Sequence, residues 1–170
     1  MFQDYAQGLH QFCKKTLDRV EEWHPGLRRP FYGTSFGSMT FNFGPHVCTK
    51  PHKDFMNLAW GWCSVTALGD FDHKKGGHLV LWDWKIAVEF PAHSTILIPS
   101  AIVEHSNTSI GEGERRQSIT QYNSAGLFRW CAYGFRPLKV AKKGRVVAEE
   151  WWSTQKHMFS KIVGRGVEHL

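Results

Sequence analysis

From Phe31 to about Phe135 the sequence is cut into short aromatic and β-branched runs by Gly, Pro, Asp and Asn, and no stretch of this region is long enough for a row of packed helices. Runs of that length with that punctuation are strands. The pattern predicts strands near 38–43, 58–68, 78–82, 85–90, 93–98, 116–122 and 128–134, with GDFDHKKGG (69–77) as a turn. Seven short strands suggest a sandwich or barrel.

The flanks read differently. Phe2, Tyr5, Leu9, Phe12, Val20 and Trp23 recur mostly at steps of three or four, so residues 2–23 should form an amphipathic helix that stops before Pro25. Within residues 136–170, RVVAEEWWSTQKHMFSKI (145–162) lacks Pro and Gly, and a closing helix is expected there. The chain therefore reads as a single α+β, mainly β domain over 1–170, with its core at about 31–135 and helices at both ends.

With 170 residues, 42% hydrophobic content and 14% aromatics, one real core is affordable. No run approaches a membrane span, and MFQDYAQGLH has neither a basic nor an apolar signal region, so an intracellular protein is expected, a monomer by default. Cys13, Cys48, Cys63 and Cys131 form no CxxC pair and read as reduced, mostly buried thiols. The formal charge of +6 is concentrated in residues 136–170, where eight Lys or Arg face three Glu. Such a segment could attract a polyphosphate backbone, or simply be solvated surface.

One constellation carries chemistry. In PHKDF, His52 and Asp54 are two apart, and on extended backbone that spacing sends both side chains to one side. His105 follows in ILIPSAIVEHSNT after a strand and a loop. Two imidazoles and one carboxylate form the face of an octahedron that suits non-haem Fe(II) and leaves three positions open, for a chelating 2-oxo acid and O2. One carboxylate leaves that site at net +1, which favours an anionic cosubstrate. Ligand types alone leave Mn or Zn open.

Eleven residues later, ERRQSIT supplies Arg116 and Ser118, again two apart, with Arg115 on the opposite face. A guanidinium can hold a distal carboxylate by two parallel bonds, and a hydroxyl can add a third. His46, His73, His78 and His93 would close the site if they were ligands, and are assigned to hydrogen bonding or surface. Asn57, Trp60 and Trp62 follow the HxD and are candidates for substrate contact, with core packing the rival role of the tryptophans; Tyr122 and Asn123 could reach the mouth of the site. Trp82, Trp84, Trp151 and Trp152 are assigned to packing.

The order HxD, about fifty residues, His, about ten residues, RxS, in a β-rich setting, resembles the Fe(II)/2-oxoglutarate dioxygenases with a double-stranded β-helix (jelly-roll, cupin-like) core, over residues 38–134. More narrowly, PHKDFMNLAWGWCSVTALGDFDHKKGGHLVLWDWK, STILIPSAIVEHSNT and RRQSITQYNSAGLFRW look like the TET/JBP-like oxygenases of fungal genomes. The resemblance implies iron ligands His52, Asp54 and His105, a 2-oxoglutarate anchor at Arg116 supported by Ser118, O2 as oxidant, and a 5-methylcytosine-like base in nucleic acid as substrate. The long insertions and cysteine-rich modules by which animal TET enzymes hold duplex DNA have no counterpart here. Two rival readings are the same chemistry on a protein side chain or small molecule, and a non-catalytic, metal-free β-barrel.

Overall fold

Helix α2 (Gln7–Trp23) buries Leu9, Cys13, Thr16, Leu17 and Val20, a set spaced so that it lies along one stripe of a helix. The computed structural model describes residues 1–137. A one-turn helix, α1 (Phe2–Tyr5), precedes α2, and the break between them falls at Ala6, so the expected 2–23 helix is divided. Phe2 stacks on Phe36 and Trp62 at 5.4 and 5.6 Å between ring centroids, which fixes the N-terminus on the β-rich body. Beyond His24, Arg29 pairs with Asp18 and Glu21 and ties the next segment back to the helix.

The strands are β1 (Ser38–Asn42), β2 (Cys63–Asp70), β3 (Leu79–Leu81), β4 (Ile86–Val88), β5 (Thr95–Ile98), β6 (His105–Asn107) and β7 (Arg115–Tyr122), with a 3-10 turn at Trp82–Trp84 and helix α3 at Ala125–Ala132. They form a four-stranded sheet in the order β1-β7-β2-β5 and a three-stranded sheet in the order β4-β3-β6. Every pairing within these sheets is antiparallel. The crossed order is that of a double-stranded β-helix: β7, late in the chain, lies between β1 and β2.

Cys63, Ala67 and Ile98 of the larger sheet and Leu79 and Leu81 of the smaller one meet, with Phe90 and Val103, in one buried cluster. Leu9, Cys13, Leu17, Leu58, Trp60 and Phe128 form a second, between α2, α3 and the 58–60 segment. Each fully buried Leu or Phe contributes roughly 1.5–3 kcal/mol of transfer free energy, so these two clusters hold the frame on which the site stands.

Two expectations need correction, and one strand was not expected. Residues 128–134 are not a strand; Leu127, Phe128 and Cys131 recur at helical spacing, and α3 packs them on α2. The strand expected at 58–68 begins only at Cys63, because Leu58–Gly61 is a turn closed by the Gly61 N–H donating to the Leu58 carbonyl at 2.8 Å. β6 was not foreseen, since its residues are the polar His-Ser-Asn. The expected C-terminal helix and Trp151 and Trp152 lie outside the described residues. Among the described residues no helix is long and apolar enough to cross a membrane.

Gly77 closes the 71–77 turn at φ +70°, and a Cβ there would stand 2.7 Å from the Phe71 ring and 3.2 Å from Arg116 Cδ. Left-handed backbone costs a non-glycine residue about 1–3 kcal/mol. Gly77→Ala should therefore lower stability by at least about 2 kcal/mol, read as a shift of the urea midpoint at constant slope. An unshifted midpoint would show that the turn readily rearranges.

Candidate metal centre and anion pocket

His52 and His105 lie 53 residues apart and are joined by two backbone hydrogen bonds: each N–H donates to the other's carbonyl at 3.0 Å. Their rings stand 4.4 Å apart. Asp54, two residues on, brings Oδ1 to 3.6 Å from His52 Nε2. Ligand atoms of His52, Asp54 and His105 all fall within 4.8 Å of one another, close enough to hold one metal ion.

Hydrogen bonds around the three ligands set their chemistry. His52 Nδ1 lies 2.8 Å from the Lys50 carbonyl and His105 Nδ1 lies 2.9 Å from that of Val103. A carbonyl only accepts, so both Nδ1 atoms carry protons and the Nε2 lone pairs are left for a metal. Asn57 Nδ2 donates to Asp54 Oδ2 at 3.1 Å and to Ser100 Oγ at 3.3 Å, leaving Asp54 Oδ1 toward the histidines. Orienting partners of this kind are half of what makes a metal site. The donor set, two neutral imidazoles and one carboxylate on one side, fits Fe(II).

Arg116 occupies the deeper part of the same cavity, which has a volume of about 560 Å³ and is lined by all three metal-ligand candidates and by Ser118. Alternation along β7 turns Arg116 and Ser118 inward and Arg115 and Gln117 outward. Arg116 is 2% exposed, its guanidinium carbon stands 5.9 Å from the centroids of the Phe71 and Phe90 rings, and burial pushes its pKa down from the ordinary value. One NH group donates to the Val47 carbonyl at 3.2 Å, while Nε has no partner. Among the described residues no carboxylate pairs with this guanidinium. A buried charge without a counter-charge is costly. An anion entering the cavity would supply the missing counter-charge, and Ser118, whose Oγ accepts from Asn42 Nδ2 at 3.0 Å, keeps its own O–H to donate.

Other sequence candidates separate. Asn57 and Tyr122 line the cavity. Trp60 and Trp62 do not: Trp60 is buried against Phe12 and Trp62 packs on Phe2, because the late start of β2 breaks the parity that would have aimed them at the site. Their expected substrate contact gives way to packing. Asn123 is also structural, accepting from Gly37 N–H at 2.7 Å and donating to the Ser35 carbonyl at 2.9 Å. Trp82 and Trp84, expected to pack in the core or between helix and sheet, are half-exposed. Cys13, Cys63 and Cys131 are buried and Cys48 is exposed, all four free. Cys63 borders the cavity, where burial, reinforced by the Asp54 charge, pushes its thiol up to about 12, and it is not one of the three residues whose ligand atoms come together.

Two contributors were not read from the sequence. The strap 45–47 runs along Arg116, its Pro45 carbonyl accepting the Arg116 N–H at 2.7 Å. Asn107 secures that strap, donating to the Val47 carbonyl at 2.9 Å and accepting from Thr49 Oγ1 at 2.8 Å. A period-two step from His105 was the available signal for Asn107. At the cavity rim Phe55 and Met56 are 80% and 77% exposed, on a turn closed by Asn57 N–H donating to the Asp54 carbonyl at 2.8 Å.

Fold and site together define a double-stranded β-helix protein with a two-histidine, one-carboxylate group facing a buried arginine. Among solved structures the chain is similar to NgTET1 in complex with 5mC DNA, with a TM-score of 0.50 and 19% identity over 72% of this chain and 54% of that one. It therefore spans about half the length of that neighbour. A viral collagen prolyl hydroxylase from Paramecium bursaria Chlorella virus-1, in its 2OG complex, aligns with a TM-score of 0.38 and 10% identity over 65% of this chain and 70% of that one. No protein-family model matches the sequence, and no curated protein matches it.

Proposed function

We propose that this chain is an intracellular Fe(II)- and 2-oxoglutarate-dependent dioxygenase of TET/JBP-like type, oxidising a methyl group on a modified nucleobase of the 5-methylcytosine kind in DNA or RNA. The observation that carries the reaction class is the pairing, in one cavity, of the His52, Asp54, His105 group with a buried Arg116 that has no acidic partner among the described residues. Bound Fe(II) would activate O2 and couple decarboxylation of 2-oxoglutarate to succinate with transfer of one oxygen atom to the substrate.

The protein's share is placement. His52, Asp54 and His105 would hold the metal on one side and leave the cavity side open; Arg116 and Ser118 would bind the distal carboxylate of the cosubstrate and set its direction. Phe71 and Phe90 exclude water from that end. At the other end, Phe55 and Met56 offer exposed apolar surface to a planar base, and Asn57, bonded to Asp54, lines the same cavity. The NgTET1 likeness and the resemblance of the HxD run support a nucleobase over a peptide as substrate.

A methylated oligonucleotide pool incubated with Fe(II), ascorbate and 2-oxoglutarate, and analysed by mass spectrometry beside a peptide pool, tests the substrate. Hydroxymethyl product with matching succinate is expected from the oligonucleotides; product from peptides alone would move the reading to a protein hydroxylase. Activity on the oligonucleotides should fall steeply between 50 and 200 mM salt, by roughly tenfold or more if even a few phosphates are contacted. Indifference to salt would count against a polyanionic substrate.

A further inference from the structure

One acidic residue outside the ligand set touches both chain segments that carry it. Asp83 sits in the 3-10 turn Trp82–Trp84, and a single oxygen, Oδ2, accepts the Glu104 N–H at 2.7 Å and lies 3.2 Å from Lys53 Nζ. Lys53 stands between His52 and Asp54, and Glu104 immediately precedes His105. The same turn reaches the other flank of His105: the Trp82 N–H donates to the Glu104 carbonyl at 2.8 Å and the Trp82 indole N–H to Ser106 Oγ at 3.0 Å.

We propose that Asp83 is a positioning residue for the metal centre, a cross-tie holding the HxD segment and the His105 segment at the separation that brings their ligand atoms together. The inference rests on reading His52, Asp54 and His105 as metal ligands. The backbone pair between His52 and His105 is flanked on either side by further ties between the two segments, the Asp54 N–H donating to the Ser100 carbonyl at 2.9 Å and the Thr49 N–H to Asn107 Oδ1 at 2.9 Å. The Asp83 carboxylate adds a tie that comes from a third element, the 3-10 turn, and acts on the residues directly beside the ligands, Lys53 and Glu104. The hydrogen bonds made by Trp82 fix the tie itself, so that it is anchored on the His105 side and reaches across to Lys53.

A merely decorative surface ion pair would look similar in one respect, since Asp83 is 42% exposed on its side chain. What separates the two is which atom does the work. The Glu104 N–H lies one residue before His105, so the bond from it to Asp83 acts on main chain adjoining the ligand. Outer partners of metal ligands typically alter affinity by about 10–100-fold.

The test is titration of the full chain with Co(II) as the probe metal, following the visible absorption bands of the bound ion and, separately, thermal unfolding of the metal-free protein. Asp83→Ala should weaken Co(II) binding by about tenfold or more and change the band pattern. Asp83→Asn keeps an oxygen for the Glu104 N–H and loses only the charge pair, so it should fall between wild type and Asp83→Ala. Lys53→Met removes the same arm from the other side and should match it, and the double variant Asp83→Asn/Lys53→Met should be no worse than either single change. Should Asp83→Ala fail to fold, the Asn and Met variants decide. Lowered thermal stability with Co(II) affinity and spectrum unchanged would overturn the proposal and leave Asp83 a structural contact. Absence of Co(II) binding by the wild-type chain would instead overturn the metal-site reading, and the proposal with it.

Discussion

Replacing Arg116 by methionine is expected to move two properties in opposite directions. In the protein without metal or cosubstrate, the change removes a 2% exposed guanidinium whose Nε is unpartnered and puts an unbranched apolar chain between Phe71 and Phe90. Even buried ionic groups that are paired can be exchanged for well-packed apolar ones with an effect ranging from neutral to about 1–4 kcal/mol of added stability. A gain of ~1 kcal/mol corresponds to roughly 2–4 °C in Tm for a chain of this size. Turnover with 2-oxoglutarate should collapse at the same time. Two charge-assisted hydrogen bonds of about 1.5–3 kcal/mol each are lost, so kcat/KM for the cosubstrate should fall by roughly 10²-fold or more. Scanning calorimetry and succinate release check the pair. A variant that is less stable yet turns over normally would mean that Arg116 serves the fold rather than an anion.

Asp54→Ala should produce the other large effect. It removes the one carboxylate of the ligand group and also the acceptor for Asn57 Nδ2. Since even outer partners of metal ligands change affinity by 10–100-fold, loss of a direct ligand should weaken Fe(II) binding by more than about 100-fold and take activity below detection. Asn57→Ala, which only frees the orientation of Asp54, should cost less. Anaerobic metal titration distinguishes the two, and equal metal affinity in wild type and Asp54→Ala would favour the metal-free barrel.

The mainly β class of the fold was legible in the punctuated runs, and the gathering of His52, Asp54, His105, Arg116 and Ser118 around one cavity was legible in their spacing. His52 with Asp54, and Arg116 with Ser118, are pairs separated by two residues, and on extended backbone that spacing has one geometric meaning. His105 needed only to follow an apolar strand and a loop. The helix at 125–132 was not legible: AGLFRWCA is a short apolar run, and strand and helix readings of such a run differ only in what the opposing surface provides, here Cys13 and Leu17 of α2. Trp60 and Trp62 failed for a related reason, since the face on which a residue points follows from where extended backbone begins, and that was set by the turn at Leu58–Gly61. Asp83 is invisible in a linear reading because its partners, Lys53 and Glu104, are distant in sequence and neighbours only after folding.

The placement of β7 in the interior of its sheet has a further consequence. Arg116 and Ser118 ride on a strand bonded along both edges, to β1 and to β2, whereas Phe55 and Met56 ride on a turn. Amides of β7 should therefore be among the last in the chain to exchange with deuterated solvent, and those of the 53–57 turn among the first. The same difference governs inheritance. Drift at the turn can replace one rim residue by another at small cost, while few changes in β7 leave the anion seat intact. Descendants of such a domain can diverge at the rim and still share one buried arginine on one doubly bonded strand.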